Sequence, residues 1–278
     1  MKKGIFTVVL ILLIGVFAFS GWKIFEILQE YRAEEIFYEE MTQFVSIPEP
    51  EETKPQNKGQ TPAATEAAEI NPAETNQAAQ EALLWPTVDF TALREINPDV
   101  VGWIYIPDTH VNYPILQGET NDTYLRYMMS GEYNSAGSIF LDADVSPDFS
   151  ARNTPIYGHH MKNGTMFADI ADYKDQSFYD AHPYAMLLTP NGNYCVRIFS
   201  GYVTDVWDDA WNTGFSEDGF ASWLQKLESK SYFYTDIKPT TEDRIVTFST
   251  CTYEYDDARF VVHGVLEFYM TENESAAE

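Results

Sequence analysis

The sequence predicts a mainly β fold, a closed barrel or sandwich of about eight strands with a few short helices. Three observations carry that expectation. Eight short segments between Trp103 and Met270 read as strands, few segments of the same region carry helical periodicity, and 45% hydrophobic with 15% aromatic residues can fill a core.

Lys2 and Lys3 precede an uncharged apolar run from Gly4 to Trp22. As a helix that run is about 28 Å long, enough to cross a bilayer. Positive charge before it and acidic sequence after it predict an N-terminus inside the cell and the rest outside. A cleaved signal peptide is the alternative, because Ala18 and Ser20 offer small residues at suitable spacing. Ile24, Ile27, Leu28 and Tyr31 continue the helix as an apolar stripe, expected either to lie near the membrane as an amphipathic rod or to self-associate. From Pro48 to about Ala82, Pro, Glu, Thr, Ala, Gln and Asn dominate, which predicts a mobile linker.

Ordered sequence is expected again near Trp85. Asp89 can cap a short helix carrying Phe90, Leu93 and Ile96 that stops at Asn97-Pro98. The strand candidates are Trp103 to Ile106, Tyr113 to Gln117, Ser138 to Leu141, Pro155 to His159, Ala185 to Thr189, Tyr194 to Thr204, Arg244 to Thr250 and Phe260 to Met270. Pro190-Asn191-Gly192-Asn193 reads as a hairpin turn. Helices are expected at Thr165 to Tyr173 and at Phe220 to Ser229, where Phe220, Trp223, Leu224 and Leu227 share a face. The chain shows no internal repeat, no phosphate-cradling Gly loop and no zinc-type Cys/His spacing.

A net charge of −26 argues against binding nucleic acid through its phosphates, or an extended basic contact with anionic lipid. Of the two cysteines, Cys195 falls inside an alternating strand and reads as structural. Cys251 differs. It ends the segment in which Val246 and Phe248 fall on one face and Thr247, Ser249 and Cys251 on the other, the latter able to meet a substrate. If the return segment pairs with it as an antiparallel hairpin, Arg259 faces Cys251 across roughly 5 Å of backbone. A thiol beside a guanidinium suits a nucleophile with an oxyanion partner, whereas a lone Cys on an apolar strand is otherwise a small buried hydrophobe. Cysteine chemistry also needs an acid or base, and the stretch Asn153 to Phe167 offers His159, with His160 beside it. Glu254, Asp256 and Asp257 in the intervening loop oppose a thiolate, and Arg259 favours it.

Tyr157-Gly158-His159, Asn163-Gly164-Thr165-Met166-Phe167, Ser249-Thr250-Cys251 and Arg259-Phe260-Val261-Val262-His263-Gly264, in that order, resemble the class B sortases, membrane-anchored cysteine transpeptidases of Gram-positive bacteria. Gly102-Trp103-Ile104 and Asn112-Tyr113-Pro114-Ile115-Leu116-Gln117-Gly118 extend the likeness, which covers roughly Asp89 to Met270. The resemblance implies a sortase-type closed β-barrel with an N-terminal helical addition, and His159, Cys251 and Arg259 as catalytic residues. It also implies Asn121, Leu125 and Ser249 along the substrate groove, although Leu125 reads equally as core. The loop Asp205 to Phe215, rich in Trp and Asp, is expected to read the motif. No nucleotide, redox cofactor or metal is implied. The implied partners are secreted proteins bearing a C-terminal sorting motif, an amine of a lipid-linked peptidoglycan precursor, and the membrane. The expected division is a transmembrane signal-anchor at 1–22, a juxtamembrane helix and acidic linker at 23–88, the catalytic domain at 89–272 and a tail at 273–278. Other readings are a cysteine endopeptidase or amidase that passes the acyl group to water, a pilin-polymerising sortase, and a silent surface-binding module.

Overall fold

The alternation read between Trp103 and Met270 becomes eight strands in a computed structural model that describes residues 2–48 and 85–269. The chain opens with helix α1 (Lys2–Met41), which contains no proline to interrupt it. Among the described residues α1 alone is long and apolar enough to cross a membrane. A short strand β1 (Val45–Ser46) pairs antiparallel with β2 (Thr87–Val88). The stretch expected as a linker lies, from Glu49 on, outside the described residues.

The far half of α1 does not lie free as an amphipathic rod. Glu34, Tyr38 and Met41 are buried, whereas the expected stripe leaves Ile24, Ile27 and Leu28 exposed. The docking face joins Tyr38 and Met41 to the main core, with Tyr31 and Phe37 packed against it, and adds polar contacts. Tyr38 donates to the Gly137 carbonyl at 2.9 Å and to Ser138 Oγ at 3.0 Å. Asn134 and Ser135 donate to the carbonyl and carboxylate of Glu30.

Next comes α2 (Phe90–Ile96), capped as expected by Asp89, which accepts from the Ala92 amide at 3.0 Å. Strands β3 (Val100–Tyr105), β4 (Asn112–Leu116), β5 (Ile139–Leu141) and β6 (Asn153–Tyr157) follow. The helix expected at Thr165 to Tyr173 does not form. Met166 takes a left-handed φ of 58°, and its amide bonds to the Tyr113 hydroxyl rather than into a helical turn. A 3-10 turn spans Asp169–Lys174 instead, followed by a short α3 (Gln176–Ala181).

Strands β7 (Tyr184–Thr189) and β8 (Gly192–Thr204) make the expected hairpin. Ser216 caps α4 (Glu217–Lys230), and the chain ends its described part with β9 (Ile245–Cys251) and β10 (Arg259–Tyr269). The eight strands close a barrel in the order β10-β8-β7-β3-β4-β5-β6-β9. All neighbours are antiparallel except β4 with β5 and β6 with β9. Trp103, Ile115, Phe248 and Phe260 belong to the main core, which α1 and α2 help to cover. A second cluster lies outside the barrel wall, where Phe220, Trp223, Leu224 and Leu227 of α4 pack on Phe199, Tyr202, Ile245 and Val261.

Candidate active site

The β9–β10 ladder sets Arg259 directly opposite Cys251, as the alternation predicts. Val246, Phe248, Phe260 and Val262 point into the main core. The other face is not open along its length, contrary to expectation. Thr247 is fully buried, donating to Asn153 Oδ1 at 2.7 Å and lying 2.9 Å from Nδ1 of His263. Only the end of that face, from Ser249 on, reaches a cleft.

His159 arrives on the neighbouring strand. β6 and β9 run parallel with Tyr157 opposite Ser249, so two further residues on each strand lead to His159 and Cys251 at the same rim. Gly158 lies between them and donates to the Ser249 carbonyl at 3.1 Å. A Cβ at 158 would fall 2.4 Å from Ile139 Cδ1 and 2.6 Å from Phe167 Cγ, so the close approach admits only glycine without displacement. Nε2 of His159 is 2.7 Å from the Leu125 carbonyl. A carbonyl only accepts, so Nε2 carries the proton in that bond and Nδ1 remains available. Burial holds the His159 pKa below its ordinary value; the Leu125 carbonyl opposes this, and the Arg126 and Arg259 charges add to it.

A cleft of about 320 Å³ is lined by Asn121, Leu125, His159, Ser249, Cys251 and Arg259 together. Phe140, Tyr157 and Thr250 complete much of its wall. Asn121 spends both ends of its amide on the protein, accepting from the Ala143 amide at 2.8 Å and donating to Asp142 at 3.0 Å. Tyr157 donates to the same carboxylate oxygen of Asp142 at 2.8 Å. Asp142 and Tyr157 thus brace the cleft wall, and sequence reasoning assigned a role to neither. Tyr157 stood inside a quoted motif, whereas nothing singles out Asp142 among 43 acidic residues. A smaller adjoining cleft brings Val206 and Trp211, from the loop expected to read a motif, against Tyr157, Ser249 and Arg259.

Two contacts fix the Cys251 end of the hairpin. His160 Nδ1 lies 3.0 Å from the Cys251 carbonyl, and Tyr253 donates to the His160 carbonyl at 3.1 Å. Of the loop acids, Glu254 is drawn aside into an ion pair with Lys174 and a hydrogen bond from Thr252. Cys195 is a separate case. It is buried in β8, and burial pushes its thiol up to about 12. Both cysteines are free thiols.

The Sortase domain family matches residues 104–267. Sortase B of Listeria monocytogenes is 42% identical over 177 residues, covering 63% of this chain and 72% of that protein. Sortase B of Staphylococcus aureus is 38% identical over 169 residues, covering 60% of this chain and 69% of that one. The solved Staphylococcus aureus sortase B–substrate complex aligns at a TM-score of 0.68 and 30% identity, over 87% of this chain and all of that one. A barrel with this strand order, a thiol at its rim and matches of this extent have one reading: the chain belongs to the sortase family of cysteine transpeptidases, in its class B branch.

Proposed function

We propose that this transpeptidase cleaves a C-terminal sorting motif of secreted proteins after Thr and transfers the acyl group to an amine of a lipid-linked cell-wall precursor. Cys251, as thiolate, attacks the Thr carbonyl while Arg259 and backbone donors hold the oxyanion. His159 protonates the leaving amine, using Nδ1 because its Nε2 proton is committed to Leu125. The incoming amine then attacks the thioester, and His159 takes its proton. Amide is exchanged for amide, so the cycle consumes no cofactor. Burial lowers the His159 pKa and so favours the neutral imidazole near pH 7, and the proton that His159 delivers is drawn from its minor, protonated form.

The observation that carries this reading is the common cleft, lined by all six residues that the sequence nominated. Leu125, Asn121 and Ser249 shape the groove, and Val206 and Trp211 extend it toward the α4 side. Residues 1–22 span the membrane with the N-terminus cytoplasmic and the catalytic domain expected at 89–272 stands outside; the tail expected at 273–278 lies outside the described residues. Residues 23–88 join them, and α1 and β1 within that stretch pack with the barrel. General anchoring is preferred to pilus assembly.

The test is a sorting-peptide library offered to the full chain in detergent, with and without an amine acceptor. Transpeptidation predicts an amide product that grows with the amine at the expense of hydrolysis. Hydrolysis indifferent to the amine would make the protein an endopeptidase. No turnover in the wild type would leave a binding module in which Cys251 is only a wall residue.

A further inference from the structure

Where α1 runs along the loop between β4 and β5 lies a second groove that the transpeptidase reaction does not use. It has a volume of about 420 Å³, and its lining includes Trp22, Phe25 and Glu30 of α1 and Met128, Glu132 and Tyr133 of the loop between β4 and β5. Trp22 closes the apolar run, so this groove lies at the height where the expected bilayer span ends. Tyr127 and Tyr133 form an isolated bridge and pack edge to face with ring centroids 5.9 Å apart, while remaining 46% and 59% exposed. Trp22 and Phe25 are 57% and 59% exposed. Trp and Tyr with an apolar body and a polar tip are the side chains that settle at the headgroup level of a membrane.

The hairpin is not free to move away from that level. Asn134 and Ser135 bond to Glu30, and Glu30 is eight residues, about 12 Å of helix, beyond Trp22. Tyr38 bonds to Ser138, whose hydroxyl donates to the Tyr127 carbonyl at 2.9 Å. One unbroken helix therefore grips both arms of the hairpin and sets its height above the span.

We propose that the Tyr127–Tyr133 hairpin, with Trp22 and Phe25, is a foot seated in the interfacial layer of the bilayer that holds α1. The inference rests on the membrane-anchor reading of residues 1–22. The occupant is a neutral lipid interface, because a chain of net charge −26 with Glu26, Glu30 and Glu132 at this groove gains nothing from anionic headgroups. The same hairpin runs directly on from Leu125, whose carbonyl holds His159. The foot thus fixes the distance between the cleft and the lipid surface on which a membrane-borne acceptor travels.

Benzoylphenylalanine would be placed singly at 17, 133 and 234 in the full chain, reconstituted in phosphatidylcholine nanodiscs, and lipid adducts counted by mass spectrometry after illumination. Phe17 lies within the span, and Tyr234 is 74% exposed on another part of the surface. The expected result is strong labelling at 17, and labelling at 133 several-fold above that at 234. Labelling at 17 with 133 no higher than 234 would overturn the foot while leaving the anchor intact. No labelling at 17 would overturn the anchor itself, and the foot with it.

Discussion

Thr247 faces His263, and four residues along the same two strands Cys251 faces Arg259. Both pairs lie on the same face of one hairpin, yet one is sealed and the other lines a cleft. The difference is cover. Above the first pair lies α4, with Trp223 edge-on to the His263 ring at 5.8 Å. There the imidazole is buried without a partner at Nε2, and burial lowers its pKa to about 3. At the second pair α4 has ended its reach, and the hairpin emerges among Leu125, His159 and Tyr157. A β-ladder delivers polar side chains at regular intervals, and what packs on each rung decides whether it is structure or chemistry.

The largest expected effect breaks the comparison at the open end. Cys251→Ala should abolish acyl transfer and acyl-enzyme formation, whereas Cys195→Ala should leave both, since its thiol is sealed in β8. Loss of the acyl-enzyme by mass spectrometry in folded Cys195→Ala would reverse the assignment. His159→Asn and Arg259→Lys should each lower kcat by about 10²- to 10³-fold with the fold intact by circular dichroism. An Arg259→Lys enzyme with wild-type kcat would remove the guanidinium from the oxyanion role.

Gly158→Ala tests how the open end is built. The added methyl must displace Ile139 or Phe167, so stability should fall by about 1–3 kcal/mol in a denaturant titration, with kcat falling as His159 moves. The sealed end predicts a pH signature. Unfolding raises the His263 pKa from about 3 to the ordinary 6.5, so the unfolded chain binds the proton first as pH falls. Its contribution is intact above about pH 6.5 and is lost as pH drops toward 3, at up to about 1.4 kcal/mol per pH unit. Denaturant midpoints of His263→Gln should depend less steeply on pH over that window. The smallest effect expected is at Arg126, whose charge helps depress the His159 pKa. Arg126→Gln should move the His159 limb of the kcat/KM profile upward by a fraction of a pH unit, and a downward shift would contradict the stated cause.

Much of this arrangement is legible in the residue order because strands announce themselves by alternation. All eight barrel strands lie within two or three residues of the segments that alternation predicts, and the Cys251–Arg259 pairing follows from the two faces of one hairpin. Periodicity does not report cover, so the burial of Thr247 beneath the α4 region could not be read. The docking of α1 was hidden for a related reason. Its contact face mixes Tyr31, Tyr38 and Met41 with Glu30 and Glu34, whose acids are satisfied by hydroxyls and amides far along the chain, while Ile24, Ile27 and Leu28 face outward. Met166 escaped because a left-handed residue set by a distant tyrosine leaves no local trace. Asp142 escaped because its meaning lies in Asn121 and Tyr157, which only folding brings to it.

The parallel seam between β6 and β9 has a consequence for how such an enzyme can diversify. Strands running the same way deliver imidazole and sulfur to one rim through backbone ladder bonds, so residues 160–244 must travel the barrel's length to return. Within that excursion β7, β8, α4 and the loop with Val206 and Trp211 lie off the seam that spaces the two reacting side chains, whereas His160 and Phe167 at its start brace the seam. Lengthening or recasting the parts off the seam would restyle the mouth while the reactive pair stayed on its rungs. Selectivity and reactivity are thereby inherited on separable pieces of chain.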